Sequence, residues 1–78
     1  MKDMRLNKMS ISQSGEVAAV EENDLKPKLT DMGLIPGKQI RVLFKAPLGD
    51  PIAIDVEGYI LSLRLEEASL ILIKPHAS

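Results

Sequence analysis

The chain has 78 residues, enough for one small domain and too few for a second. Ten Lys and Arg against eleven Asp and Glu leave a net charge of −1, which argues against non-specific nucleic-acid binding, since that needs clustered positive charge. There is no Cys and only one His, at position 76, so a disulfide framework, thiolate chemistry, a multi-histidine metal site and a conventional Ser-His-Asp triad are excluded.

Phe44 and Tyr59 are the only Phe or Tyr and Trp is absent, so aliphatic side chains must build the core. The longest apolar runs, Val17–Val20 and Leu70–Ile73, have four residues, far short of the roughly 20 that a membrane-spanning helix needs. Met1 to Arg5 lacks the apolar core of a signal peptide, so a cytoplasmic location is expected.

In chain order, Met4 and Leu6 fit a short first strand, and Ser12 to Gly15 a turn. Val17-Ala18-Ala19-Val20 reads as a strand covered on both faces. Asn23-Asp24 stops it and offers a helix N-cap, because a short side-chain oxygen can accept a first-turn N–H. Leu25, Leu29 and Met32 line one face of a helix of about two turns. Pro27 falls in its first turn, where a missing N–H costs little. Gly33 can end the helix in the left-handed conformation, with Leu34 packing back on the last turn. Pro36-Gly37 fits the centre of a type II turn.

Ile40, Val42 and Phe44 alternate with polar or outward neighbours, which predicts a strand with one buried face. Ile52, Ile54 and Val56 repeat the pattern. Between them, Pro47 and Pro51 push Ala46 and Asp50 toward extended conformations. Glu57-Gly58 has the length of a tight hairpin turn, and Tyr59, Leu61 and Leu63 form the return strand. Leu65 to Ala68 reads as one helical turn, and Leu70 to Ile73 as a last covered strand ended by Pro75. Five or six short strands with so little helix predict a mainly β fold, a small closed barrel of SH3-like type. A two-turn helix and a single helical turn before the last strand complete it.

Three blocks together resemble the FeoA family: Leu29-x-x-Met32-Gly33-Leu34-x-Pro36-Gly37, Ala46-Pro47-Leu48-Gly49-Asp50-Pro51, and Gly58-x-x-Leu61-x-Leu63-Arg64-x-x-Glu67-Ala68. The resemblance covers about residues 5–74 of a single domain spanning 1–78. It implies an SH3-like fold and a cytoplasmic accessory role in bacterial ferrous iron uptake. It also implies a partner, the FeoB-type membrane transporter with its cytosolic GTP-binding region, engaged by protein contact without catalysis. Leu65, where many members carry a polar residue, and Pro27 within the helix depart mildly from the pattern.

The remaining candidate chemistry is weaker. Gly33 to Lys38 superficially suggests a phosphate loop, but it is one residue short, has Gln39 where Ser or Thr would bind magnesium, and loses an N–H at Pro36. Glu21-Glu22 and Glu66-Glu67 are sequence neighbours that do not face each other, which suits solvated or capping roles. His76 lies in the tail. Asp55 and Glu57 share a strand face opposite Arg41 and Lys45, which predicts cross-strand ion pairs rather than a metal site. Lys26, Lys28, Lys38, Arg41 and Lys45 could form a basic docking patch or a face balanced by acids. Arg64 is expected to hydrogen-bond nearby carbonyls or carboxylates.

The expected partner surface is therefore the helix and following turn, with Leu25, Lys28, Leu29, Met32, Leu34 and Pro36, together with the loop Pro47, Leu48, Gly49, Asp50 and Pro51. Charge at Leu29 or Leu48 is expected to weaken binding and spare the fold. No catalytic, metal or cofactor residue is assigned, and nucleic acid and direct membrane insertion are not expected. A metal-responsive regulatory domain that binds a divalent transition metal directly is the alternative.

Overall fold

The computed structural model describes residues 2–76. Six strands, β1 (Met4–Arg5), β2 (Ser14–Val20), β3 (Gln39–Lys45), β4 (Ile52–Val56), β5 (Tyr59–Leu63) and β6 (Ile71–Pro75), form one antiparallel sheet. Its order is β1-β6-β2-β3-β4-β5, so the last strand inserts between the first two. The sheet takes the SH3-like form that the strand count and the resemblance predict. Two short helices, α1 (Lys26–Asp31) and α2 (Leu65–Ala68), complete it.

The core is aliphatic. Leu29 and Leu34 from the α1 segment, Ile52, Ile54 and Leu63 from the β4–β5 hairpin, and Ile71 from β6 are fully buried. Each such side chain contributes about 1.5–3 kcal/mol relative to exposure. Met9 is buried with them, and so is Leu6. Leu6 does not extend β1, however. It opens a 3-10 turn, Leu6–Lys8, that drops the side chain into the barrel end.

Local backbone chemistry accounts for the turns. At the end of α1 the Leu34 N–H donates to the Leu29 carbonyl at 3.1 Å and the Gly33 N–H to Thr30 at 2.9 Å, with Gly33 at φ +94°. That pair of bonds is the Schellman arrangement, which needs a left-handed residue after the cap. Lys38 N–H then donates to Ile35 O at 3.2 Å across Pro36 and Gly37. Glu57 and Gly58 both have positive φ, 48° and 107°, as a type I′ hairpin turn demands.

Four expectations change in detail. Asn23 does not cap α1: its Oδ1 accepts the Leu25 N–H at 2.9 Å, closing a turn one step earlier, and the helix starts at Lys26. Ser14 and Gly15 belong to β2 rather than to the preceding turn, whose tightest point is Ser12 at φ +75°. Phe44 is 54% exposed, not buried. The β3–β4 register shifts between Val42 and Phe44, so Leu43 is an extra residue that turns Phe44 outward. Finally, the hydrogen-bonded ladder does not close. β1 is two residues long before the chain leaves into its 3-10 turn, too short to cover β5, and both remain edges of the sheet.

Candidate protein-binding surface

The residues expected to meet a partner fall on two segments tied to the same helical turn. Asp50, in the loop between β3 and β4, accepts from Arg64 Nε at 3.0 Å and Nη2 at 3.4 Å. Its Oδ1 also accepts the Leu65 N–H at 3.3 Å, so a carboxylate from a distant loop supplies the cap of α2. Glu67 accepts the Arg64 N–H at 2.8 Å and the Lys28 ammonium of α1 at 2.6 Å. Asp50, Arg64, Glu67 and Lys28 thus link the loop, α2 and α1 in one chain of polar contacts.

The electrostatics follow from that geometry. Of the two roles expected for it, solvated or capping, Glu67 takes the capping one, and it does so buried. The Lys28 ammonium foremost, and then the Arg64 N–H, hold its carboxyl below the usual carboxylate range. The hydrogen bond and charge of Asp50 raise the Arg64 guanidinium above its ordinary value, and the predicted carboxylate partner of Arg64 is found.

Between Ala46 and Asp50 the loop makes a 3-10 turn, Pro47–Gly49, with Leu48 at φ +72°. A non-glycine residue there carries backbone strain. The Leu48 side chain is 98% exposed. Pro47 and Pro51 flank it and are exposed, while Gly49 and Asp50 are half-buried. The loop is thus strained, tethered through Asp50, and lifts a bare leucine into solvent.

The α1 segment divides. Leu29 and Leu34 are fully buried in the core, so a charge at Leu29 is expected to break the fold rather than report on binding, contrary to the expectation for that variant. Leu25 and Met32 are half-buried, and Lys28 and Pro36 are exposed. Beside α1 runs a groove of about 300 Å³ lined by Ala19, Val20, Lys26, Thr30, Ile35 and Pro36, with Leu34 at its base. A second hollow of about 410 Å³ shares Lys26 and Thr30 with it and continues past Pro27 and Glu22.

The basic residues do not gather into a patch. Lys26 pairs with Glu22 at 2.6 Å, Lys38 with Glu57 at 3.5 Å, and Lys28 with Glu67. Arg41 donates to the Ser12 carbonyl and Lys45 to the Asn7 carbonyl, both at 3.3 Å. The cross-strand ion pairs expected at Arg41 and Lys45 are therefore replaced by bonds to backbone, although Arg41 does stand opposite Asp55. Glu57 instead accepts the Gln39 N–H at 3.0 Å, and this bond, ahead of Lys38, lowers its carboxyl. His76 is not loose: its N–H donates to the Ser14 carbonyl at 3.0 Å. Among the described residues no group of three or more His, Cys, Asp or Glu is placed to hold a metal ion, and no helix is long and apolar enough to cross a membrane.

Sequence reasoning missed the exposed apolar side chains Phe44 and Ile60 on the outer side of β3 and β5, where Leu43 was expected to face outward. Leu43, Phe44 and Ile60 are 40%, 54% and 68% exposed. Phe44 stands opposite Ala53, which stands opposite Ser62, and Ile60 stands opposite Asp55. For Ile60 the signal was present, because period two puts it on the side away from Leu61. For Phe44 it was not, because a bulge leaves no mark on the alternation.

These features define a small SH3-like barrel whose exposed apolar groups and tethered loop suit protein contact. A family profile for the FeoA domain matches residues 4–75. The chain belongs to the FeoA family, whose setting is ferrous iron transport. It is 33% identical over 69 residues to a Fe(2+) transport protein A/Fe(2+) transporter FeoB fusion protein of Porphyromonas gingivalis, covering 87% of this chain and 8% of that one. The chain thus spans less than a tenth of that relative. Among solved structures, the FeoA-like protein of Clostridium acetobutylicum superposes with a TM-score of 0.92 at 38% identity, covering 100% of this chain and 92% of that one. The zinc-complexed FeoA of Stenotrophomonas maltophilia, described as a prokaryotic SH3 domain protein, gives 0.81 at 24% identity over 91% of this chain and 89% of its own, a likeness of fold.

Proposed function

We propose that this chain is a non-catalytic, cytoplasmic accessory protein of ferrous iron uptake that docks on the cytosolic part of a FeoB-type transporter. The observation that carries the reading is the fusion relative, in which a matching segment is covalently joined to a FeoB transporter. A covalent link raises the effective concentration of two parts that work in contact. The Leu48 loop is the main anchor, supported by exposed Lys28 on α1, by Pro36 at the α1 groove and by half-buried Leu25 and Met32. The contact acts by favouring one state of the transporter, and it shifts that equilibrium only by its differential affinity for the two states.

The test is binding of the purified chain to the cytosolic region of the transporter from the same source, and to the full-length transporter, with and without a GTP analogue. Saturable binding is expected, with Leu48→Asp weaker by about 10- to 100-fold, the range that burying one leucine supports. Because Leu48 touches little of its own protein, the variant keeps its fold. Absence of binding to either form, or equal binding by Leu48→Asp, overturns the proposal or its surface respectively.

A further inference from the structure

β5 has an unused edge. Its inner side pairs with β4 in the register Val56↔Tyr59, Ile54↔Leu61 and Ile52↔Leu63. A two-residue hairpin makes the first of these a hydrogen-bonded pair, and such pairs then alternate along an antiparallel ladder. The backbone N–H and C=O of Ile60 and Ser62 therefore point away from β4. No other strand lies beyond β5, and among the described residues neither group has a backbone partner there.

Natural sheets blunt such edges with short strands, Lys, Pro or bulges. The opposite edge, β1, is blunted by being two residues long. β5 has none of these devices: Tyr59-Ile60-Leu61-Ser62-Leu63 is uncharged, five residues long and in regular register with β4. At the edge itself, Ile60 is 68% exposed.

We infer that this edge pairs with β5 of a second copy of the chain, antiparallel, about a twofold axis at Leu61. In that register Ile60 of each copy faces Ser62 of the other, and all the free backbone groups of both residues are used. The charges at the two ends of β5 favour this arrangement. Glu57, which also pairs with Lys38, lies just before the strand, and Arg64, which also pairs with Asp50, lies just after it, their side chains still 40% and 70% exposed. Antiparallel pairing brings the Arg64 end of one copy against the Glu57–Gly58 turn of the other. A parallel arrangement would set like charges together.

This inference stands apart from the transporter reading. Sedimentation equilibrium from about 10 µM to about 1 mM, the range of weak association, tests it. The expected result is a mass rising reversibly from 8.6 kDa toward twice that value. Ile60→Lys sets two ammonium groups near the axis, and Ser62→Pro removes a donor from an exposed edge, where proline is tolerated. Each is expected to hold the chain monomeric, with circular dichroism unchanged. The register has its own readout, because the chain has no Cys. When equal amounts of the single variants Ile60→Cys and Ser62→Cys are mixed and oxidised, the mixed disulfide should exceed each self-disulfide by clearly more than the twofold that random pairing gives. A monomer throughout the range, a dimer that survives both edge substitutions, or a mixed disulfide at no more than twice the yield of each self-disulfide overturns the inference.

Discussion

The Tyr59 hydroxyl donates to the Met32 carbonyl at 2.8 Å, and in doing so it occupies the place a side chain on Gly33 would need. Gly33 is thus required twice. Its φ of +94° lies in the region that side chains rarely adopt, and the latch from β5 crosses it. The local stop signal of α1 is also the seat on which the β4–β5 hairpin closes.

The first prediction follows from that seat. Gly33→Ala should cost about 2 kcal/mol, combining backbone strain with loss of the Tyr59 bond. Tyr59→Phe alone should cost about 1 kcal/mol. In the double variant the bond is counted once, so the two losses should fall short of additive by about 0.5–1 kcal/mol. Urea unfolding of the four proteins measures the cycle.

Glu67 makes acid stability a second test. Its carboxyl is held low in the fold by Lys28 and by the Arg64 N–H. Its contribution is complete above the ordinary glutamate value of about 4.3 and is lost as pH falls through the lower folded value. Glu57, lowered by the Gln39 N–H and Lys38, adds an exposed contribution in the same window. Glu67→Gln should lose about 1–3 kcal/mol at neutral pH and flatten, without abolishing, the fall in stability toward acid. Unfolding midpoints measured from neutrality down through the carboxylate range show both effects.

The bulge in β3 separates two residues that the alternation treats alike. Val42 is fully buried and Phe44 is 54% exposed. Val42→Ala should cost about 1–3 kcal/mol, whereas Phe44→Thr should stay within about 0.5 kcal/mol. Equal losses in thermal unfolding would place Phe44 in the core after all.

Asp50 tests whether the loop's order serves binding. Its bridge to Arg64 is largely exposed, so Asp50→Ala should cost no more than about 1 kcal/mol of stability. Removing the tether frees the loop, and transporter binding should weaken by about three- to tenfold through the added cost of ordering it. Binding and unfolding measured on the same variant separate the two effects.

Of the expected surface, the Pro47–Pro51 loop was legible from its prolines and the exposed leucine between them, because that chemistry is local. The α1 stripe was half legible. Period and spacing put Leu25, Leu29 and Met32 on one face, but how deep each sinks depends on what the barrel presents to the helix. Leu29 is swallowed while Leu25 and Met32 stay at the margin. Glu67's capping role was legible, but its burial was not, because its partner Lys28 is 39 residues away in the chain.

The sequence by itself determined the parts that one or two residues decide through their own backbone: the stop at Gly33, the turn at Pro36-Gly37, the hairpin at Glu57-Gly58, and the strands marked by alternation. Their physics acts over a few bonds, so neighbours in the chain suffice. Only the tertiary structure decided the insertion of β6 between β1 and β2, the bulge that turns Phe44 outward, and the polar chain from Asp50 to Lys28. It also decided that β5 keeps an open edge. Each of these depends on which distant segments meet, and that is set by burying the aliphatic core as a whole, a sum over the entire chain that no short window contains.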